Sequence, residues 1–140
     1  MDSQGRMKLS VEVIQHFGRE VDNRIFVTSV VPGVVSMYPA QVWQQNLQFL
    51  AEQLEDAEEA ADLEFWANAH GATTTIDGQG RVVVPILLRE KFGLDGEALV
   101  MVPARDRIDI YKQAQFDERC ARVAERLANA RESMVRKGFA

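Results

Sequence analysis

The chain has 140 residues, 46% of them hydrophobic and 26% charged, with one cysteine and two histidines. That length holds one globular unit, or two very small ones sharing a core. The composition excludes a disordered, collagenous or low-complexity chain. A lone Cys120 excludes an internal disulfide and a thiolate metal site within one chain. No apolar run approaches the roughly 20 residues needed to cross a bilayer, and the start, Met1 to Arg6, lacks the apolar stretch of a signal peptide. A cytoplasmic protein without a membrane partner is expected.

The net charge of -5 argues weakly against nucleic acid as a partner. The charge is uneven, however. Glu52 to Glu64 carries seven carboxylates and no base. Such a run reads as a solvated helix face. The remaining chain sums to a small positive charge, so a local basic surface is compatible with the total.

Taken in order, Asp2-Ser-Gln-Gly5 has turn chemistry, followed by a short strand, Arg6 to Leu9. Ser10 is placed to cap a short helix. Ile25 to Thr28 and Val34 to Tyr38 read as strands, with Val31-Pro-Gly33 turning between them. Ala40 to Leu54 places Val42, Leu47, Leu50 and Leu54 on one helical stripe, with Trp43 beside it. Ala57 to Ala69 is a second, alanine-rich and acidic helix ended by Gly71. The two predict a helical hairpin.

The second half is clearer. Ala72 to Ile76 is β-branched and reads as a strand. Asp77-Gly-Gln-Gly80 is a turn, and Arg81 to Val84 a strand. Pro85 suits the first position of a helix that runs from Ile86 to Phe92 and stops at Gly93 in a left-handed conformation. Ala98 to Val102 and Arg107 to Tyr111 are strands joined by the turn Pro103 to Asp106. Phe116 to Val135 is an amphipathic helix. Phe116, Cys120, Val123, Leu127 and Met134 lie on its apolar side, with Cys120 expected as a small core residue.

The halves repeat one another. Asp2-Ser-Gln-Gly-Arg6 recurs as Asp77-Gly-Gln-Gly-Arg81, 75 residues on. Met7, Leu9, Val13, Phe17 and Gly18 align with Val82, Val84, Leu88, Phe92 and Gly93. After a shift of two, Val34 to Tyr38 aligns with Arg107 to Tyr111, and Trp43 with Phe116. A unit of about 50 residues seldom buries enough apolar area to be stable alone. The copies are therefore expected to complete each other's core by an internal pseudo-two-fold pairing. The boundaries expected are 1–45 for the first repeat, 46–71 for connecting helices, 72–116 for the second repeat and 117–140 for the C-terminal helix. Met1 directly precedes Asp2, whereas a strand precedes Asp77. The first copy is thus expected to lack its opening strand, the one that would pair with Arg6 to Leu9, leaving an unpaired edge.

Asp-x-x-Gly-Arg, β-branched residues, Pro, then a short helix ending in Phe-Gly-Leu resembles the AbrB/MazE swapped-hairpin DNA-binding module. Ile76 to Pro85 and Leu87 to Leu94 carry the likeness best. Two such modules in tandem at this length resemble the MraZ family of bacterial transcriptional regulators. The resemblance implies an α+β fold of two pseudo-symmetric swapped-hairpin modules sharing a core, with a helical hairpin after the first and a helix after the second. It implies a ring homo-oligomer, associated with the nucleoid, that binds double-stranded DNA at direct repeats upstream of its own division and cell-wall gene cluster as a repressor. It also implies that Asp2, Arg6, Asp77 and Arg81 lie on the DNA-facing surface. An alternative is an antitoxin-like DNA-binding protein whose tail masks a partner protein, although helical tails disfavour it.

The residue types support a basic tip independently. Arg6 and Arg81 each follow a glycine turn, and a guanidinium matches a phosphate or a guanine edge. The competing role is a salt bridge to Asp2 or Asp77, and both can hold if the carboxylate orients the arginine. Gln4 and Gln79 can read adenine or remain solvated turn residues. Lys8 shares a strand face with Arg6 and can reach phosphate. Arg89 is expected inside, paired with a carboxylate. Arg105 and Arg107 fit either a phosphate contact or a subunit interface. His16 and His70 have no partner at metal spacing. No cofactor, metal or small-molecule substrate is indicated. Nor is an enzyme: there is no nucleophile–base pair or phosphate loop, and exposed turn carboxylates such as Asp2 and Asp77 are expected to have no reason for a shifted pKa.

Overall fold

The computed structural model describes residues 1–17 and 22–140. Its mixed α+β architecture runs β1 (Arg6–Lys8), α1 (Val11–Phe17), β2 (Arg24–Val31), β3 (Val34–Pro39), α2 (Ala40–Ala51), α3 (Ala57–Ala69), then β4 (Ala72–Thr75), β5 (Arg81–Val83), α4 (Ile86–Phe92), β6 (Leu99–Ala104), β7 (Arg107–Lys112) and α5 (Gln113–Arg136). The aligned Gly18 lies outside the described residues.

Local chemistry accounts for the elements. The Ser10 hydroxyl accepts the Val13 N–H at 3.2 Å, capping α1 as its sequence position suggests. Pro85 stands one position earlier than expected, in extended conformation before α4, and Gly93 closes that helix at φ +62°. Helix α2 ends at Ala51, so Leu54 falls in the α2–α3 connection and is 89% exposed rather than on the stripe. The helix has to stop there because α3 must fold back on α2 within a few residues. Trp43, placed beside the stripe from sequence, is instead the buried residue of α2, stacked on Phe26 and tilted against Tyr38.

The copies interlock through two sheets. Strands β1 and β5, the equivalent strands of the two copies, pair antiparallel in a two-stranded ribbon with Met7 opposite Val82. A five-stranded sheet has the order β4-β2-β3-β7-β6. Its centre pairs β3 with β7, placing Ser36 opposite Asp109. Both central pairs join equivalent positions, so a pseudo-two-fold axis runs through them. The main core draws Met7, Leu9, Ile25, Val27, Val35 and Met37 from one copy, and Val82, Val84, Leu88, Leu94, Ile108 and Ile110 from the other. Neither half has a separate main core, which is the physical basis of the duplication.

One expectation is corrected. The strand before the glycine turn does not pair with the strand after it. In the second copy β4 crosses to β2 of the first, with Ile25 opposite Thr74, and Ile76 N–H extends that ladder to the Asn23 carbonyl at 2.8 Å. Arg6–Lys8 therefore has a complete partner in β5. The edges of the five-stranded sheet are elsewhere: β2 is paired on both sides, whereas among the described residues β4 pairs only with β2 and β6 only with β7. At the turn between β4 and β5, the Asp77 N–H donates to the Arg81 carbonyl at 2.9 Å. The Asp77 carboxylate accepts the backbone N–H groups of Gln79 and Arg81 in the same turn.

Candidate nucleic-acid interface

The same tip is built twice. Asp2 Oδ1 accepts the N–H groups of Gln4 and Arg6, each at 2.9 Å. Asp77 Oδ1 accepts those of Gln79 and Arg81 at 2.8 and 2.9 Å. The backbone closes identically: Gly5 N–H donates to the Asp2 carbonyl at 3.1 Å, and Gly80 N–H to the Asp77 carbonyl at 3.0 Å. Gly5 and Gly80 stand at φ +79° and +74°, where a side chain would be strained.

The second carboxylate oxygen of each Asp takes the arginine. Arg6 Nε donates to Asp2 Oδ2 at 2.7 Å, and Arg81 Nε to Asp77 Oδ2 at 2.9 Å. The salt bridge and the presentation of the arginine are thus one arrangement: Nε is held, and the terminal nitrogens carry no bond among the described residues. The carboxylates do have reason for shifted pKa values, contrary to the expectation from sequence. Chiefly the Arg6 backbone N–H holds Asp2 below the usual carboxylate range, against desolvation and with help from the Arg6 side chain and the Gln4 N–H. The Arg81 backbone N–H does the same for Asp77. Exposure alone does not preserve an ordinary pKa when several donors converge on one carboxylate.

The ribbon aims these groups one way. Met7 and Val82 are buried on its inner face, so Arg6, Lys8, Arg81 and Val83 alternate outward. Arg6 pairs with Val83 and Arg81 with Lys8, a diagonal that sets the two arginine Cα atoms about 8 Å apart. The turns lie at opposite ends of the ribbon. A two-stranded ribbon of this width can enter a major groove.

Each tip rests on the other copy's helix. Arg89 of α4 lies under Gly5, its guanidinium 11% exposed, with Nη1 3.5 Å from Asp95 Oδ1. Its Nε is buried without a partner. Ile14 of α1, the equivalent position, lies under Gly80. Lys8 donates across the ribbon to the Gln79 carbonyl, bracing the second tip. Gln4 and Gln79 are exposed at the tips, and among the described residues only their backbones form hydrogen bonds. Arg105 and Arg107 sit at the β6–β7 turn, away from the ribbon. Arg107 Nε donates to Asp109 Oδ1 at 3.0 Å, and the Ser36 hydroxyl donates to the same oxygen at 2.7 Å.

Sequence reasoning missed the supports from Lys8 and Ile14. Their targets are 71 and 66 residues away, and nothing local marks them. His70 caps α3, its Nδ1 2.8 Å from the Trp66 carbonyl oxygen, while Lys91 covers the Trp66 ring at 4.7 Å. Cys120 is exposed, not a core residue, because no element among the described residues covers α5 at that point. Among the described residues no group of three or more His, Cys, Asp or Glu could hold a metal ion, and no helix is long and apolar enough to cross a membrane.

Residues 68–137 match the family model described as "MraZ protein, putative antitoxin-like". A protein of Solidesulfovibrio magneticus named transcriptional regulator MraZ is 29% identical over 139 residues, spanning 99% of this chain and 91% of the relative. One of the same name from Koribacter versatilis is 31% identical over 106 residues, covering 72% and 69%. Another, from Moorella thermoacetica, is 29% identical over 139 residues, covering 96% and 91%. With the tandem fold and the duplicated tip, these matches mean that the chain belongs to the MraZ family.

Proposed function

We propose that the chain is a sequence-specific DNA-binding transcriptional regulator. Its outward ribbon enters the duplex, and Arg6 and Arg81 contact phosphate or guanine. The observation that carries this is the pair of carboxylate-closed turns, each holding an arginine by Nε with no bond to its terminal nitrogens among the described residues. A pre-oriented fork loses less conformational freedom on binding than a free arginine. Gln4 and Gln79 at the tips add groups able to bond a base edge or phosphate.

The relatives carry the name of a regulator and not of an enzyme. The regulator is a repressor of its own division and cell-wall gene cluster, binds direct repeats upstream of it, and acts as a ring in the nucleoid. A ring also reconciles an acidic chain with a DNA partner. One ribbon neutralises few phosphates and binds weakly, whereas several ribbons on successive repeats gain avidity.

The test is a gel shift on the DNA upstream of the chain's own gene. Arg6→Ala and Arg81→Ala are expected to abolish retention of the repeat-containing fragment at moderate salt, with oligomer mass unchanged. Footprints at direct repeats spaced near one helical turn support the multivalent mode. Undiminished retention by the double variant refutes the interface.

A further inference from the structure

The outward face of the ribbon is a two-by-two array. Arg6 stands directly opposite Val83, and Lys8 directly opposite Arg81. The two rows are about 6.8 Å apart along the strands, the length of two base-pair steps of a duplex at about 3.4 Å each. Three of the four members are cations with a partner in the chain. Arg6 and Arg81 are held by their carboxylates, and Lys8 braces the Gln79 carbonyl. Val83 is the exception. It is an apolar side chain, 44% exposed, on a face otherwise suited to an anion.

The pseudo-two-fold relation makes the exception specific to one copy. Lys8, Val11 and Glu12 of the first copy match Val83, Ile86 and Leu87 of the second. The second copy is apolar and exposed at all three positions, whereas the first carries charge at two of them. The core does not account for Val83, because Val82 and Val84 on either side of it are the residues that fill the core. Nor does strand propensity. Threonine is also β-branched, and the chain uses it at the exposed positions Thr73 and Thr75 of β4.

In the major groove the apolar group on the base edges of a duplex is the 5-methyl of thymine. We propose that Val83 reads a thymine 5-methyl beside the base or phosphate taken by Arg6, with Ile86 bordering the contact. Continuity with the arginine face selects that occupant. The Val83 Cβ lies about 5 Å from that of Arg6 across the strand pair, so a duplex engaged by Arg6 brings the neighbouring base edge over Val83. The other row, Arg81 with Lys8, holds no apolar group. The two ends of the ribbon therefore read different chemistry, and the face acquires a direction that two identical tips alone would lack. A face with a direction favours repeats set in one orientation. The inference rests on the DNA-binding reading above and adds a base to it.

The test compares the upstream fragment made with thymine and the same fragment made with deoxyuridine, which lacks only the 5-methyl and keeps every hydrogen-bonding group. Full-length wild type, Val83→Ser and Val83→Ile are titrated on both, with circular dichroism and native mass as checks on fold and assembly. Wild type is expected to bind the deoxyuridine fragment about fourfold more weakly for each ribbon engaged, the worth of one buried methyl. Val83→Ser is expected to bind the thymine fragment at that reduced level and to lose nothing further on deoxyuridine, while Val83→Ile keeps the discrimination. Single deoxyuridine substitutions in wild-type titrations should place the loss at one thymine per repeat. Equal binding of both fragments by wild type overturns this inference alone. A Val83→Ser protein that still loses affinity on deoxyuridine also overturns it, since the methyl is then felt elsewhere. So does a Val83→Ser protein with the wild-type DNA response and an altered native mass, which assigns the apolar strip to a second copy of the chain. Failure of wild type to retain either fragment refutes the DNA-binding reading itself.

Discussion

Replacing each tip glycine by alanine measures how the two copies support one another. Both residues have positive φ, so either substitution costs about 1–2 kcal/mol in backbone strain. At Gly80 little is added: the new methyl would lie 3.4 Å from the Ile14 Cδ1, an ordinary contact. At Gly5 it would lie 2.7 Å from Arg89 Nε and 2.8 Å from Cζ. The guanidinium must withdraw from a site where it is 11% exposed. Overpacking of that kind adds about 1–3 kcal/mol. The lost ion pair to the largely exposed Asp95 adds under about 1 kcal/mol. Gly80→Ala is therefore expected to cost about 1–2 kcal/mol and Gly5→Ala about 2–6 kcal/mol, read from urea midpoints at constant slope. In an Arg89→Ala background the clash is gone, and Gly5→Ala should fall to the Gly80→Ala value, a coupling of about 1 kcal/mol or more. Equal costs in the wild-type background, or an undiminished Gly5→Ala cost without Arg89, would refute the claim that α4 supports the first tip.

Three further outcomes follow from particular contacts. Asp2 and Asp77 have folded pKa values below the unfolded ones, so their stabilisation is complete above the ordinary carboxylate range and is lost as pH falls through the depressed values. Amide exchange at Arg6 and Arg81 should accelerate over that acid window, and Asp77→Asn, which keeps an accepting oxygen, should remove the pH dependence at Arg81 alone. Thr28→Val leaves the Ala67 carbonyl without its side-chain donor and should cost about 1–2 kcal/mol, with a matching rise in protease cutting near the α2–α3 connection. Ile110→Ala empties a fully buried position in the shared core and should cost about 2–5 kcal/mol in one cooperative transition; two separated transitions would contradict a common core.

Much of the site was legible from the residues. The recurrence of Asp-x-Gln-Gly-Arg identified both tips, because one carboxylate, one glycine and one arginine close that turn within five residues. Nearly every strand and helix followed from periodicity and from punctuation such as Ser10, Pro85 and Gly93. The strand order did not. β-branched strands of similar character can pair within a copy or across copies, and the hydrophobic pattern does not distinguish them. Cys120 was misplaced for a related reason: an apolar stripe has the same spacing whether its partner lies in the same chain or not.

The sequence by itself therefore determined the duplication, the elements and the chemistry of each arginine tip, all of which depend on residues within a few positions of one another. Only the tertiary structure decided that β1 pairs with β5, that β4 crosses to β2, and that Arg89, Ile14 and Lys8 support tips belonging to the opposite copy. Those contacts span 45 to 84 residues. They are selected by burying two half-cores together, a gain that exists only once both copies are folded against each other.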